Sequence, residues 1–314
     1  MKPKQSVVFF GTGPVAAQSL ALLSKNFVIE AVITKPKPRH HRGTFPVIDI
    51  ALERSLPIQY VTDKQSVSIL MKQHHFKSTV GVLIDFGIIV TSDVINAFEK
   101  GIVNSHFSLL PEWRGADPIT FSILSGQEKT GVSLMLLVQK MDEGPLLDQS
   151  IVTVTNNDTA SSLTAKLITA SDTLLQKTLP SYIQGEVIAE DQIVATLLDQ
   201  KTPTYSSKIA KSDGVIDWSK PAVRIEREVR AYLGWPQSKT ILGSIDVIVT
   251  KAHAVLSQPP ESQPGDITAV GEMGVLMIAT SNGSLCIERL KPVGKKEMDA
   301  SSFLSGYKDR LNIS

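Results

Sequence analysis

Apolar and polar positions along the chain fall into short alternating blocks. Val7-Val8-Phe9-Phe10 is an apolar run of strand formers, broken by the turn Gly11-Thr12-Gly13-Pro14. Residues 16–23 carry Ala17, Leu20, Leu22 and Leu23 at helical spacing, and residues 27–33 return as a strand. The alternation continues with helices over 45–53, 66–75 and 92–98 and strands over 56–60, 79–84 and 101–103. The run at 79–84 is nearly all apolar, as expected of a strand covered on both faces. Such a succession predicts an α/β fold: a Rossmann-like, open, mainly parallel sheet with flanking helices. A helix over 119–125, strands over 130–138 and 151–154, and an amphipathic helix over 159–180 complete this half, the last with Leu163, Leu167, Leu174 and Leu175 on one side.

The pattern then changes. Short apolar pieces between 184 and 203 read as a wrapping connection rather than a domain. A basic helix over 224–232 follows, then short strands at 240–242, 247–250, 265–270, 275–279 and 284–290 and a helix over 301–307. Closely spaced strands with glycine turns predict a small OB-like β-barrel. The expected organisation is a catalytic domain over 1–183, a linker over 184–206 and a C-terminal domain over 207–314.

Composition adds exclusions. The 314 residues are 42% hydrophobic and 20% charged, an ordinary folded mixture rather than a disordered one. Lys plus Arg is 32 against 31 for Asp plus Glu, so a nucleic-acid partner would have to be met by a local basic face. A single cysteine, Cys286, excludes a disulfide within the chain and a Cys-rich metal site. The residues before the first strand contain no apolar signal region and no stretch is long enough to span a bilayer, so a cytoplasmic chain without a membrane partner is expected. Gly11-Thr12-Gly13-Pro14 is not a G-x-G-x-x-G run. Thr34-Lys35 stands where an acidic ribose ligand would be needed, which argues against dinucleotide binding.

The chemistry gathers at Asn104-Ser105-His106. On an extended segment the N-x-H spacing points both side chains the same way. An amide donor and an imidazole suit a carbonyl carbon that becomes tetrahedral and pushes charge onto its oxygen. Met141-Asp142-Glu143-Gly144-Pro145 offers a carboxylate, and Asp148 is its rival. Read from the residues alone, the site suits acyl-group transfer.

The stretch Asn104-Ser105-His106-Phe107-Ser108-Leu109-Leu110-Pro111-Glu112-Trp113-Arg114-Gly115-Ala116-Asp117-Pro118 resembles the N-x-H-x-S-L-L-P-x-x-R-G-A-x-P pattern of formyltransferases that use N10-formyltetrahydrofolate. Further similarities are Phe9-Phe10-Gly11-Thr12, Thr204-Tyr205-Ser206-Ser207-Lys208-Ile209, Ile216-Asp217-Trp218 and Leu290-Lys291-Pro292-Val293-Gly294-Lys295-Lys296-Glu297-Met298. They extend the resemblance over nearly the full chain, to the methionyl-tRNA formyltransferase family. The resemblance implies Asn104, His106 and Asp142 as catalytic residues. It implies a folate pocket along Phe86, Gly87, Ile88, Ser108, Leu109, Leu110 and Pro111, and tRNA contacts at Arg42, Lys295 and Lys296. It also implies N10-formyltetrahydrofolate as donor and initiator methionyl-tRNA as acceptor. The His residues lack partners at ligand spacing, so no metal is expected, and a monomer is expected. Arg224, Arg227, Arg230 and Lys239 are candidates to extend the basic surface. Two departures stand out: the basic loop around Arg42 is a few residues short, and Asp85 replaces a small or apolar residue. A formyltransferase acting on a nucleotide-linked amino sugar, a formyltetrahydrofolate hydrolase and a non-catalytic RNA-binding protein are the competing readings.

Overall fold

The computed structural model describes residues 4–38, 43–192, 202–257, 261–270 and 275–311. It divides into two units: Met1–Pro118, Lys129–Thr153 and Thr164–Ser206 form the first, and Ile119–Glu128, Val154–Leu163 and Ser207–Ser314 the second.

In the first unit, strands β1 (Ser6–Phe10), β2 (Val28–Thr34), β3 (Ile58–Tyr60), β4 (Gly81–Leu83) and β5 (Ile102–His106) alternate with helices α1 (Pro14–Asn26), α2 (Pro46–Glu53), α3 (Lys64–Gln73) and α4 (Ser92–Ile95). After the short strand β6 (Arg114–Gly115) and helix α5 (Pro118–Ser125) come β7 (Lys129–Leu136), β8 (Leu146–Thr153), the long helix α6 (Ala160–Ile183) and β9 (Tyr205–Ser206). One seven-stranded sheet has the order β3-β2-β1-β4-β5-β7-β8. Its pairs are parallel as far as β5. The β5–β7 and β7–β8 pairs are antiparallel. Val8, Phe10, Ala31, Ile33, Val67 and Ile102 pack together as core. Phe10 lies edge-on to Phe86 and Phe98, with centroids 5.5 and 5.9 Å away. Local chemistry starts α3: the Asp63 carboxylate accepts the Ser66 N–H and the Ser66 hydroxyl accepts the Asp63 N–H, a reciprocal cap.

The second unit holds α7 (Ala222–Ala231) and α8 (Ala300–Tyr307) with strands β10 (Ser238–Leu242), β11 (Ile245–Val255), β12 (Ile267–Val270), β13 (Leu276–Ala279), β14 (Ser284–Pro292) and β15 (Met298–Asp299). The strands form one antiparallel sheet of order β10-β11-β14-β13-β12, with β15 on β14. A break in register between Val249 and Lys251 bends β11, consistent with the expected OB-like domain. Ile225 and Val229 of α7 join Val247, Leu276, Ile278, Leu285, Leu290 and Phe303 in its core.

The chain segments at 119–128 and 154–163 belong to this second unit, for an electrostatic reason. A helix leaves its last carbonyls without intrahelical partners, at its negative end. At the end of α5, Leu124 O accepts from Arg224 Nη1 at 2.7 Å and Ser125 O from Arg227 Nη1 at 3.0 Å. Arg230 Nη1 donates to Asp158 O at 2.7 Å and its guanidinium also pairs with Glu226.

Candidate active site

Strand β5 sets the site. Asn104 lies opposite Leu83 of β4 and Met135 of β7, and His106 opposite Ser133. Both are buried, 7% and 6% exposed. The spacing along the strand points them the same way, and one carboxylate meets both. Asp142 Oδ1 is 3.7 Å from His106 Nδ1 and 3.5 Å from Asn104 Nδ2. Asp142 Oδ2 accepts the Gly115 N–H at 2.8 Å. His106 Nε2 lies 2.9 Å from the Trp113 carbonyl. A carbonyl only accepts, so that neighbour assigns the hydrogen to Nε2. The ring thus stands between two acceptors and donates to both only as an imidazolium.

Asp142 occupies a turn between β7 and β8 at φ +53°, and a buried clamp holds it there. Gln192 donates from Nε2 to the carbonyls of Asp142 (2.9 Å) and Gly144 (2.7 Å). Its Oε1 accepts from Arg114 Nη2 at 2.7 Å. Arg114 Nη1 is 3.6 Å from Glu143. Gln192 is 1% and Arg114 8% exposed, so neither group has water as an alternative partner. The next layer is β9: Arg114 and Gly115 pair with Tyr205 and Ser206, and Thr204 Oγ1 accepts the Trp113 N–H. Gly115 has φ +117°, and a Cβ there would lie 2.2 Å from Ser206 O. Gln192 was missed in the sequence because a buried amide clamp has no period and no motif of its own. The Arg114-Gly115 pair, which the resemblance included, was the sole signal for this clamp.

The expected folate residues divide. Ser108 is fully buried: its Oγ donates to Glu112 O at 2.5 Å, and its carbonyl accepts from Ser133 Oγ at 2.6 Å. Leu110 N donates to Ser133 Oγ at 3.0 Å, and Gln149 Nε2 donates to Leu110 O at 2.9 Å. Leu109 is buried, Leu110 packs on Met135 and Leu146, and Pro111 follows a cis bond. This stretch is anchored inward. The ring of Phe86 lies in the core beside Phe10 rather than at the surface. Gly87 is exposed, with its carbonyl accepting Lys35 Nζ at 2.9 Å, Ile88 is half-buried, and Ile89 is 73% exposed.

Asp85 opens that loop at φ +49°. Its carbonyl accepts the Thr12 and Gly13 N–H groups at 2.9 and 3.3 Å, and its carboxylate is turned to the N–H groups of Val15 and Ala16. Its outer edge is exposed while the carboxyl itself is packed over the turn into α1. Desolvation of that carboxyl, with the nearby Asp117 charge, pushes its pKa up to about 6 against the pull of the two N–H groups.

The rival carboxylate Asp148 is held elsewhere, by Lys177 Nζ at 2.9 Å and Thr178 Oγ1 at 2.8 Å. Lys295 and Lys296 are exposed on the turn between β14 and β15. Arg42 lies outside the described residues. Among the described residues, no three His, Cys, Asp or Glu side chains are grouped to hold a metal ion, and no helix is long and apolar enough to cross a membrane.

An amide, an imidazole and a carboxylate converge beyond the carboxyl ends of parallel strands, an arrangement suited to acyl-group transfer. Comparison with known proteins agrees. Residues 4–179 match the formyl transferase family model and residues 208–308 the model of the formyl transferase C-terminal domain. A methionyl-tRNA formyltransferase of Herpetosiphon aurantiacus is 32% identical over 96% of this chain and 98% of its own. One from Myxococcus xanthus is 33% identical over 96% and 95%. Among solved structures, an N-formyltransferase of Helicobacter canadensis, in complex with folinic acid and dTDP-3-aminofucose, superposes with a TM-score of 0.67 at 19% identity, covering 94% of this chain and all of that one, which shows a shared fold. The chain belongs to the formyl transferase family.

Proposed function

We propose that this protein transfers the formyl group of N10-formyltetrahydrofolate to the α-amino group of methionyl initiator tRNA. One observation carries the chemistry: Asn104, His106 and Asp142 meet at one buried point at the end of β5. The near-full-length relatives carry the choice of acceptor.

In the proposed reaction the neutral amine attacks the formyl carbon. An ordinary α-amino group has a pKa of about 7.7–8.0, so a useful fraction is neutral near pH 7.5. As the new C–N bond forms, negative charge develops on the formyl oxygen. Asn104 Nδ2 is one donor that receives it, and the Nε2–H of His106, which turns from the Trp113 carbonyl to the formyl oxygen when substrate binds, is the other. Asp142 orients the ring and takes up the amine proton through water. Collapse breaks the bond from the formyl carbon to N10, which takes through water the proton that Asp142 received, and gives tetrahydrofolate and the formylated amine. Binding of the folate falls to the loop 86–88 and the edge of 108–111. Because Phe86 and Leu110 face inward, backbone groups of these segments make the polar contacts. Arg42, Lys295 and Lys296 contact tRNA phosphates.

The test is formyl transfer from N10-formyltetrahydrofolate to Met-charged initiator tRNA, run beside Met-charged elongator tRNA, a nucleotide-linked amino sugar and a blank without acceptor. Rapid formylation of the initiator alone is expected. Transfer only to the sugar, or formate released in the blank at the same rate, would overturn the assignment.

A further inference from the structure

The carbonyl that faces His106 Nε2 at 2.9 Å belongs to the Trp113–Arg114 peptide, and a residue far along the chain aims it. A trans peptide points its C=O and N–H in opposite directions, so whatever holds the N–H sets where the carbonyl points. The Arg114 N–H donates to Thr204 O at 2.9 Å. The Trp113 N–H donates to Thr204 Oγ1, also at 2.9 Å. Thr204 N in turn donates to Pro111 O at 3.2 Å. One threonine therefore grips the 111–114 turn at three points, two through its backbone and one through its hydroxyl. Between those points Trp113 takes a left-handed conformation, at φ +55°. A residue with a side chain keeps that conformation where its surroundings hold it, and the Thr204 hydroxyl is one such hold. Ser206 Oγ also reaches the Trp113 carbonyl, at 3.4 Å, so this oxygen retains a donor when the His106 ring turns away from it.

The direction of this carbonyl decides which nitrogen of the neutral ring carries the hydrogen. An acceptor 2.9 Å from Nε2 keeps the hydrogen there and leaves Nδ1 bare beside Asp142. With the carbonyl turned aside, the Asp142 carboxylate, 3.7 Å from Nδ1, becomes the nearer acceptor and draws the hydrogen to Nδ1. Nε2 then has nothing to donate. We propose that Thr204 is a positioning residue: by fixing the Trp113 peptide it holds His106 in the tautomer whose Nε2–H is donated to the formyl oxygen. Its consequence for catalysis rests on the formyl-transfer reading above. Its effect on the ring rests on the hydrogen bonds alone.

The full-length protein is compared with T204V, T204A and T204S. T204V keeps the shape and loses the acceptor for the Trp113 N–H, whereas T204S keeps that acceptor. The first readout is the nitrogen NMR spectrum of the histidine rings without any substrate, in which the Nδ1 and Nε2 shifts report the tautomer of the neutral ring. An H106Q variant identifies the His106 signals among the six histidines. The second readout is formyl transfer to Met-charged initiator tRNA. The unaltered protein and T204S are expected to show the Nε2–H form and the same kcat. In T204V the Nδ1–H form gains, and kcat falls by about tenfold while the KM for donor changes by less than about twofold. T204A is read in the same way if T204V does not melt cooperatively. A cooperatively melting T204V or T204A whose His106 stays in the Nε2–H form overturns the proposal, whatever its kcat, because a residue that only braces the turn lowers stability and leaves the ring unchanged. If the unaltered protein transfers no formyl group to tRNA while T204V shifts the tautomer, the acceptor reading fails and the assignment of Thr204 stands.

Discussion

The two oxygens of Asp142 have different tasks. Oδ2 is fixed by the Gly115 N–H, while Oδ1 faces His106 and Asn104. Replacing Asp142 by Asn keeps the shape and removes the charge that faces His106 Nδ1. Replacing Asn104 by Ala removes the donor proposed for the developing oxyanion. Each change is expected to lower kcat by about 10²–10³, and single-turnover transfer at saturating donor measures it. Asp85 yields a prediction of a different kind. Its folded pKa is raised to about 6 from an ordinary carboxylate value of 3.8, so its ionised form is disfavoured in the fold. The folded protein then binds the proton more tightly than the unfolded chain. Stability is lost as pH rises from about 4 to about 6, and the loss is complete above that. Asp85→Asn removes the penalty, so its gain in melting temperature is larger at pH 7.5 than at pH 4.5. Equal gains at both pH values would show that the carboxyl does not carry the shift. Asp85 was legible as a departure from the family pattern. Its seat over Gly13 was not, because Gly13 and Asp85 lie on separate loops brought together by the β1–β4 pairing.

The elements were legible in outline. Alternation of apolar runs and helical spacing indicated β1 to β5 and their helices, because burial against the sheet imposes those periods. The difference at α4 is instructive: the pattern suggested a helix over 92–98, but only Ser92–Ile95 forms one. Phe98 packs on Phe10 and Phe76 instead of completing a further turn. In the segment after β5, one hydroxyl ties Ser108 and Leu110 together. Ser133 Oγ donates to Ser108 O and accepts from Leu110 N and Gln149 Nε2. Ser133→Ala leaves those groups buried with fewer partners and should lower stability by about 1–3 kcal/mol, read from urea unfolding as a lower midpoint at an unchanged slope. Gln192 is the corresponding brace for the Asp142 turn. Gln192→Leu fills the space without making its bonds. It is expected to reduce kcat with little change in the KM for donor, because the turn that aims the carboxylate loosens while the folate segments stay intact. An effect confined to stability would make Gln192 a packing residue alone.

Across the whole protein, a net charge of +1 leaves recognition of a polyanion to local surfaces. The basic residues are not equivalent in this respect. Arg224, Arg227 and Arg230 hold the carbonyls of Leu124, Ser125 and Asp158, and Arg224 and Arg230 also pair with Glu228 and Glu226. Lys295 and Lys296 project from an exposed turn. Neutralising Lys295 and Lys296 together should therefore make the slope of log affinity for tRNA against log salt less negative, by about 0.7–0.9 for each phosphate that the protein no longer neutralises. Arg227→Ala should lower the melting temperature and leave that slope unchanged. A salt titration of tRNA binding for the two variants separates the roles.

Periodicity along the chain specified the succession of strands and helices, the mainly parallel sheet and the strand-rich C-terminal unit, since burying one face of each element constrains its residues at regular intervals. The N-x-H spacing placed Asn104 and His106 on one face for the same reason. What packing alone decided was which distant groups meet them: the choice of Asp142 over Asp148, the Gln192–Arg114 clamp, the carboxylate of Asp85 over the start of α1, and the binding of three arginines to backbone carbonyls. These are polar contacts between residues far apart in sequence. Each is set by where loops land once the apolar faces are buried, and by the need of buried donors and acceptors for partners. Neither condition leaves a repeating mark on the sequence.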